Sequence, residues 1–371
     1  MDEKISSEPK VGNNLYTSLD LKSHQAAQKA FNNRKGAVVA IDINDGSIVT
    51  LFSSPTFSTN QLANGILQKD FDELLLSEEK PFFNRALRGR YPPASSIKPA
   101  IAMYGIEEGL IDWNFSIFDE WFFTLPEDGR IYRDWKEGGH GNTNLFKAIT
   151  QSSNTYFFDL AYRSDINQLN KHLSSLGFGD KACIDCFEED KVFVPEPSWK
   201  MNKHNFGWFK GDTVNMGVGQ GYLVSTPIQL AKYAYIMANK GKFSDLSLKK
   251  DLVKSEKSIE FNKFSNDDWF KLHESMVNVI EGNTGTARRL REKKNYIVAA
   301  KTGTAELVSG DNREQYSETR LDDSLRDHAL IIAFGPMPNP RYAVSVVVEN
   351  GESGSLVAAP IVKKAIDFYQ K

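Results

Sequence analysis

Apolar residues gather in strand-like runs at the two ends of the chain and at helical spacing through its middle. Residues 36–54, GAVVAIDINDGSIVTLFSS, form two β-rich runs around Asn44-Asp45-Gly46. That tripeptide predicts a hairpin turn, with glycine where positive φ is wanted. Toward the other end, NYIVAAKTGTA, DHALIIAFGPM and RYAVSVVVENG predict three strands, and LVAAPIVKKAIDFYQ predicts a closing helix. Ahead of the hairpin, NLYTSLDLKSHQAAQKAF alternates briefly and then becomes helical, with Leu21, Ala26 and Ala27 on the expected buried side. Beyond residue 95 the pattern is mostly helical, interrupted by Gly- and Trp-containing loops over about 112–143 and 177–222. Strands at both ends with helices between them predict one sheet assembled from the two ends, carrying a helical insertion.

Composition narrows the class. The 371 residues are long for one compact domain, and 48 acidic residues nearly balance 45 basic ones. No lysine or arginine run is long enough for a nucleic-acid or anionic-membrane face. The start, MDEKISSEPKVG, lacks the basic and apolar regions of a signal peptide, and no apolar run approaches the ~20 residues of a spanning helix. The two cysteines, Cys183 and Cys186, stand as C-x-x-C without a second pair or a thioredoxin-like context. They are expected to be incidental small residues in a loop.

The chemistry begins at YPPASSIKPA, residues 91–100. Pro92 and Pro93 hold the chain extended, and Pro99 is tolerated only in a first helical turn, so a helix is expected to start near Ser95 or Ser96. On it Ser95 and Lys98, three apart, share a face while Ser96 points away. A serine hydroxyl needs a base to become a nucleophile, and a helix start offers free amides to a developing oxyanion. Ser95 is therefore the candidate nucleophile. Two more short motifs follow. Ser152-Ser153-Asn154 precedes an apolar helical stretch and by itself predicts an N-cap cluster. Lys301-Thr302-Gly303-Thr304 follows the apolar run IVAA, where glycine marks a close approach by another backbone and a buried lysine needs a purpose or a partner.

In the order S-x-x-K, S-x-N, K-T-G, these are the signature of penicillin-binding proteins and serine β-lactamases. GAVVAIDINDGSIVTLFSSPTF, NRALRGRYPPASSIKP, RDWKEGGHG, GWFKGDT, GVGQGYLVSTPIQLA, AAKTGTAE and RDHALIIAFGP occur in the same order as their counterparts in one group of that family. The chain resembles, from about Leu15 to its end, the transpeptidase domain of class B penicillin-binding proteins of the penicillin-binding protein 2 type, which serve side-wall elongation. The resemblance implies an α/β (α+β) fold, a mainly antiparallel sheet flanked by helices with an all-helical subdomain. Sheet residues are expected at about 14–60 and 290–371, the helical subdomain at about 95–285, and residues 1–13 as a polar linker. Members normally carry a membrane-spanning helix and a pedestal before this domain, so the chain is expected to be the periplasmic part of an inner-membrane-anchored protein.

The resemblance also implies roles. Ser95 would attack the carbonyl between two terminal D-alanines of a peptidoglycan stem peptide, with Lys98 as base, neutral part of the time through burial and the nearby Lys301 charge. Ser152 would pass a proton to the leaving amine, and Asn154 would hold Lys98 and the substrate amide. Thr302, Gly303 and Thr304 would bind the substrate, the two hydroxyls taking its terminal carboxylate in the field of Lys301. Backbone amides of Ser95 and Thr304 would form the oxyanion hole. β-Lactams would acylate Ser95 and deacylate slowly.

No cofactor is required on this reading. Some proteins of this type hold zinc through two aspartates, a histidine and a cysteine at the middle of S-x-N; Asp119, Asp134 and His140 match the first three. Ser153 stands at the fourth, and a neutral hydroxyl is a poor zinc ligand beside a thiolate; three ligands plus water could still bind zinc weakly and the C-x-x-C could in principle supply a thiolate, but a hydrogen-bonded polar loop is expected instead. His328 in RDHAL is expected to be a satisfied histidine on a core strand rather than a general acid. Expected partners are stem peptides, β-lactams and, in the longer protein, a membrane glycan polymerase and elongation-complex proteins, with no nucleic acid. Two rival readings stay open: a serine β-lactamase, for which EEDKVFVPEPSW offers no convincingly positioned glutamate, and a β-lactam sensor or scaffold module with the same acylation site.

Overall fold

In the computed structural model, which describes residues 12–252, 254–291, 296–307 and 325–369, the turn at Asn44–Gly46 joins β1 (Gly36–Asp42) to β2 (Ser47–Ser54). Gly46 has φ +72°, and the Asp42 carboxylate accepts from the Asn44 main-chain N–H at 3.0 Å. The middle of the chain is helical and adds three two-stranded ribbons. β3 (Ser116–Asp119) pairs with β6 (Gly141–Asn144), β4 (Phe122–Thr124) with β5 (Ile131–Arg133), and β7 (Lys242–Ser244) with β8 (Glu256–Ser258). The closing part supplies β9 (Ile297–Ala305), β10 (His328–Met337) and β11 (Tyr342–Val348).

The five long strands form one antiparallel sheet in the order β2-β1-β11-β10-β9. The first and last parts of the chain meet where β1 pairs β11, Gly36 opposite Val348 and Asp42 opposite Tyr342. Side chains alternate across a strand, and here both faces are covered, which is why the strands read as unbroken apolar runs. Val39, Ile41, Ile332 and Phe334 belong to the core shared with the buried helix Pro227–Ala238. Val38, Ala40, Ile331 and Val344 belong to a second core under the helices Leu21–Phe31 and Ala359–Tyr369. Among the described residues β9 is an edge strand, and the helix Asn266–Glu281 packs on both it and the helix Leu145–Gln151.

Several local expectations change. Leu21 is 73% exposed; the first helix turns Ser23, Ala27, Ala30 and Phe31 inward instead. Asp20 caps it by accepting from Ser23 N at 2.7 Å, and Ser23 Oγ meets Thr50 Oγ1 at 2.8 Å, so a polar contact rather than Leu21 sets the rotation. The region 177–222 contains the helices Pro197–His204 and Lys210–Gly217, where a loop was expected from its glycines and tryptophans. The expected linker over 1–13 lies outside the described residues apart from Gly12 and Asn13.

The cysteines are not incidental. Cys183 and Cys186 form a disulfide, S–S 2.00 Å. Around it the Glu189 carboxylate accepts from Ala182 N and Cys183 N at 2.6 and 3.0 Å, and Asp185 accepts from Leu248 N and Lys249 N at 2.9 and 2.8 Å. Oxidised sulfur is no thiolate ligand, which removes this pair as a zinc donor. No helix among the described residues is long and apolar enough to cross a membrane.

Candidate active site

The site is built where the YPP turn meets the open edge of β9. Tyr91 anchors the turn: its hydroxyl donates to Glu349 Oε1 at 2.7 Å, and the same oxygen accepts from Arg85 Nε at 2.9 Å. Pro93 leads into Ala94, whose φ of +49° lies in the left-handed region that an alanine enters only at a cost of ~1–2 kcal/mol. A 3₁₀ turn over Ala94–Ile97 follows, and the helix Lys98–Glu107 continues it with Pro99 in its first turn. In a 3₁₀ turn positions i and i+3 eclipse, which places Ser95 and Lys98 on one side. Ser96 is turned away as expected: it is fully buried and donates to Pro93 O at 2.6 Å. Ser95 is half-buried.

Gly303 explains the approach of β9. A Cβ there would stand 3.1 Å from Pro93 O and 3.3 Å from Ser96 N, so glycine lets the strand lie against the turn that carries Ser95. Its neighbour Lys301 is fully buried, and its Nζ donates to Ser152 Oγ at 2.7 Å and Thr302 O at 3.2 Å. Lys98, also fully buried, donates to Ser152 O and Asn154 Oδ1, both at 2.7 Å, and to Ser152 Oγ at 3.3 Å. Two ammonium-bearing chains thus converge on one hydroxyl.

Burial pulls the Lys98 ammonium down to about pKa 7, against the opposing pull of the Asp134 and Asp119 carboxylates. Burial, with the Lys98 charge second, holds Lys301 well below the ordinary lysine value. The expected assistance from the Lys301 charge is not what lowers Lys98: burial does so, and the charges acting on Lys98 are the carboxylates, which work the other way.

Ser152-Ser153-Asn154 is both a helix end and a helix start. Ser152, at φ +60°, ends the helix Leu145–Gln151 with its carbonyl turned toward Lys98. Trp135 Nε1 donates to the same carbonyl at 3.1 Å. Ser153 then caps the helix Asn154–Arg163, its Oγ accepting from Tyr156 N at 3.2 Å. The N-cap predicted for this cluster is real, and it coexists with the convergence on Lys98.

Behind this loop, Asp134 Oδ2 accepts from Asn154 N and Thr155 N at 2.5 and 2.9 Å, taking up orphan amides of the helix start. Its Oδ1 faces His140 Nε2 at 3.3 Å, and His140 Nδ1 faces Gln151 Oε1 at 3.0 Å. Burial opposes the Asp134 charge, but the His140 hydrogen bond, the Lys98 charge and the amides together hold its pKa well below the carboxylate range. Gly139 makes the approach possible; a Cβ there would fall 2.2 Å from Asp119 O.

Asp119, Asp134 and His140 do converge, with donor atoms within 4.8 Å of one another. Ser153 Oγ, at the fourth position, donates its proton to Asp119 Oδ2 at 2.7 Å. A hydroxyl engaged this way is not the anionic fourth donor of a closed tetrahedral zinc centre, so the set does not fit one in which Ser153 completes the ligands.

Thr302 is buried and its Oγ1 meets Thr286 Oγ1 at 2.8 Å; Thr304 is half-buried. Thr286, Trp135 and Gln151 were not singled out from the sequence as site residues. Each acts through a contact distant in the chain, and only Trp135, in RDW, sits in a stretch that stood out. His328, on β10, accepts at Nδ1 from Asn350 N at 3.0 Å and stacks edge-on against Tyr91, satisfied as expected.

The turn that carries Ser95, two buried lysines and a strand edge meet around Ser152, which is the S-x-x-K, S-x-N and K-T-G arrangement of the penicillin-binding type. Residues 36–367 match the family model of the penicillin-binding protein transpeptidase domain, and the chain belongs to that family. It is 38% identical to the peptidoglycan D,D-transpeptidase MrdA of Acinetobacter baumannii over 98% of its own length and 54% of that protein. The Escherichia coli K12 protein of the same name is 33% identical over 97% of this chain and 58% of its own. The chain thus spans somewhat more than half the length of these curated relatives. Among solved structures, Pseudomonas aeruginosa PBP2 in complex with WCK 5153 is 36% identical, TM-score 0.86, covering 96% of this chain and 78% of that one. PBP2 of Helicobacter pylori in complex with MreC is 31% identical, TM-score 0.87, covering 96% and 64%.

Proposed function

We propose that this chain is the catalytic domain of a peptidoglycan D,D-transpeptidase that cross-links stem peptides during side-wall elongation. The observation that carries the reading is Lys98: fully buried, brought to about pKa 7, and bonded together with Lys301 to Ser152 Oγ. A lysine that is neutral in part at neutral pH serves as a base.

Neutral Lys98 takes the Ser95 hydroxyl proton as Oγ bonds to the carbonyl carbon between the two terminal D-alanines. The carbonyl oxygen becomes an oxyanion, held by the Ser95 and Thr304 amides, donors typically worth ~3 kcal/mol each. The C–N bond then breaks, Ser152 relays a proton to the leaving D-alanine nitrogen, and the acyl-enzyme ester remains. Asn154 keeps Lys98 and the peptide amide in place, and Thr302 and Thr304 hold the terminal carboxylate beside Lys301. In the second half an amine of a neighbouring stem peptide attacks the ester, the new amide forms, and Ser95 regains its proton. Water as acceptor would make the same site a carboxypeptidase.

The reading requires no metal; Asp134 and Ser153 order the helix start through hydrogen bonds. The Cys183–Cys186 disulfide suits an oxidising compartment, which supports a periplasmic location for this domain of a membrane-anchored protein. A glycan polymerase and elongation-complex proteins are its proposed partners in the longer protein, in keeping with the MreC-bound Helicobacter relative.

The test is incubation with a fluorescent penicillin followed by intact-mass and peptide mapping over several hours. A persistent adduct on Ser95 is expected. Fast hydrolysis without an adduct would make the chain a β-lactamase, and no reaction would make it a scaffold. Transfer to an added D-amino acid, read by mass, separates the transpeptidase from a sensor.

A further inference from the structure

The loop Val218–Tyr222, between the helices Lys210–Gly217 and Pro227–Ala238, touches both halves of the oxyanion hole. On one side Gly219, at φ +71°, lies against the nucleophile turn: its carbonyl accepts from Ala94 N at 2.8 Å, and a Cβ on it would stand 2.3 Å from Ala94 O. Gly219 thereby braces Ala94 in its left-handed conformation one residue before Ser95. On the other side the next residue, Gln220, donates through Nε2 to Thr304 O at 3.3 Å. Its own main-chain N–H is fixed to Asn215 O at 3.0 Å, so the loop is tied to a helix end at the base of that reach.

Within an antiparallel strand the N–H and C=O of one residue point to the same side. Thr304 lies on the sheet edge, opposite Ala329 of β10, and its carbonyl faces Gln220. Its N–H faces the same way, out of the sheet and into the cleft. A continuous path therefore runs from Ser95 through Ala94, Gly219 and Gln220 to Thr304, and its two ends are the amides assigned to the oxyanion. Their separation decides how well both reach one oxygen, because donors must sit within ~2.7–3.1 Å of the position the oxyanion takes.

We propose that Gln220 is a positioning residue that sets the spacing of the two oxyanion-hole amides by tying the nucleophile turn to β9. This rests on the transpeptidase reading of the site. Because the oxyanion exists only after attack, loss of the tie weakens the transition state more than ligand capture.

The experiment is stopped-flow acylation by benzylpenicillin of the wild-type chain, of Gln220→Met, which keeps the length without the donor, and of Gln220→Glu, which puts an acceptor against the Thr304 carbonyl. The expected result is a first-order acylation constant about tenfold lower in Gln220→Met, the size of one neutral hydrogen bond at about 1.4 kcal/mol. Gln220→Glu is expected to lose at least as much. The noncovalent dissociation constant stays within threefold, and the affinity of a boronic acid, which places an oxygen in the same hole, falls in step. An acylation constant unchanged within threefold, or a loss confined to the dissociation constant, overturns the proposal. A fall in both constants matched by a lowered melting temperature in both variants also overturns it, since Gln220 would then be holding the fold. A wild-type chain that is not acylated at Ser95 would instead overturn the functional reading beneath it.

Discussion

Asp134→Asn separates the two things this carboxylate does. It is buried, and its Oδ2 accepts from Asn154 N and Thr155 N while Oδ1 accepts from Lys136 N at 3.2 Å and faces His140. An asparagine keeps one oxygen. If that oxygen stays toward the helix start, two charge-assisted bonds become neutral ones, losing ~1 kcal/mol each, and Lys136 N is left without an acceptor for ~1 kcal/mol more. The sum is about 3 kcal/mol, a fall of about 4 °C in melting temperature for a chain of this size.

The sign of the pH dependence follows from the direction of the shift. Asp134 is held below the ordinary carboxylate value, so its contribution is present above an unfolded pKa of ~3.9 and is lost as pH falls through the folded value. The gap between wild type and variant is therefore full at pH 7 and shrinks below about pH 4. The second effect is on Lys98, whose ammonium form Asp134 supports. Without that charge Lys98 loses its proton more readily, and the acid limb of acylation, expected near pH 7 in the wild type, moves to lower pH even as the plateau falls. Melting curves across pH and a pH profile of penicillin acylation test both. An unchanged melting temperature would refute the capping argument, and a limb that stays put or moves alkaline would refute the charge argument.

Ser95→Ala abolishes adduct formation by mass, while Ser96→Ala, losing only its bond to Pro93 O at about 1 kcal/mol, keeps most of it; an adduct on the Ser95→Ala chain would sink the assignment. Gly139→Ala would drive a methyl into the Asp119 backbone from a left-handed residue, and is expected to destabilise by more than ~3 kcal/mol, read by urea unfolding. Chelator dialysis leaves wild-type acylation unchanged, whereas Ser153→Cys acquires zinc measurable with a competing dye; tight zinc on the wild type would contradict the fit argument. Without reductant neither cysteine takes up iodoacetamide, and mass spectrometry finding two alkylated thiols would refute the Cys183–Cys186 disulfide.

Much of the frame was legible because the residues concerned act over short distances or carry strong periodicity. Gly46 marks the hairpin by its conformational freedom, and the runs in β10 and β11 are apolar on both faces because both faces are covered. Ser95, Lys98, Ser152, Asn154 and Lys301 could be nominated from three short motifs, and the fold brings the four side chains of Lys98, Ser152, Asn154 and Lys301 into hydrogen-bonded contact. What stayed hidden depends on partners far along the chain. β3 to β8 are three or four residues each, too short for alternation to register, and Asp119, Asp134 and His140, at or beside the ends of β3, β5 and β6, converge only in the fold. Leu21 was misplaced because Asp20 and Ser23 set the helix's rotation through polar contacts, and C-x-x-C spacing alone does not distinguish a disulfide from two idle thiols.

A sheet that ends in an uncovered strand is ordinarily a hazard, since free N–H and C=O groups invite a foreign chain to add itself and begin an aggregate. On the transpeptidase reading proposed above, β9 keeps such an edge so that an extended peptide can lie along it. The turn at Pro93–Ser96 crowds it at Gly303, and the Gln220 side chain occupies the carbonyl of Thr304. Both contacts shorten the stretch of β9 that a foreign strand could pair with among the described residues. On that reading, selectivity for a chain end and resistance to misassembly come from the same obstruction.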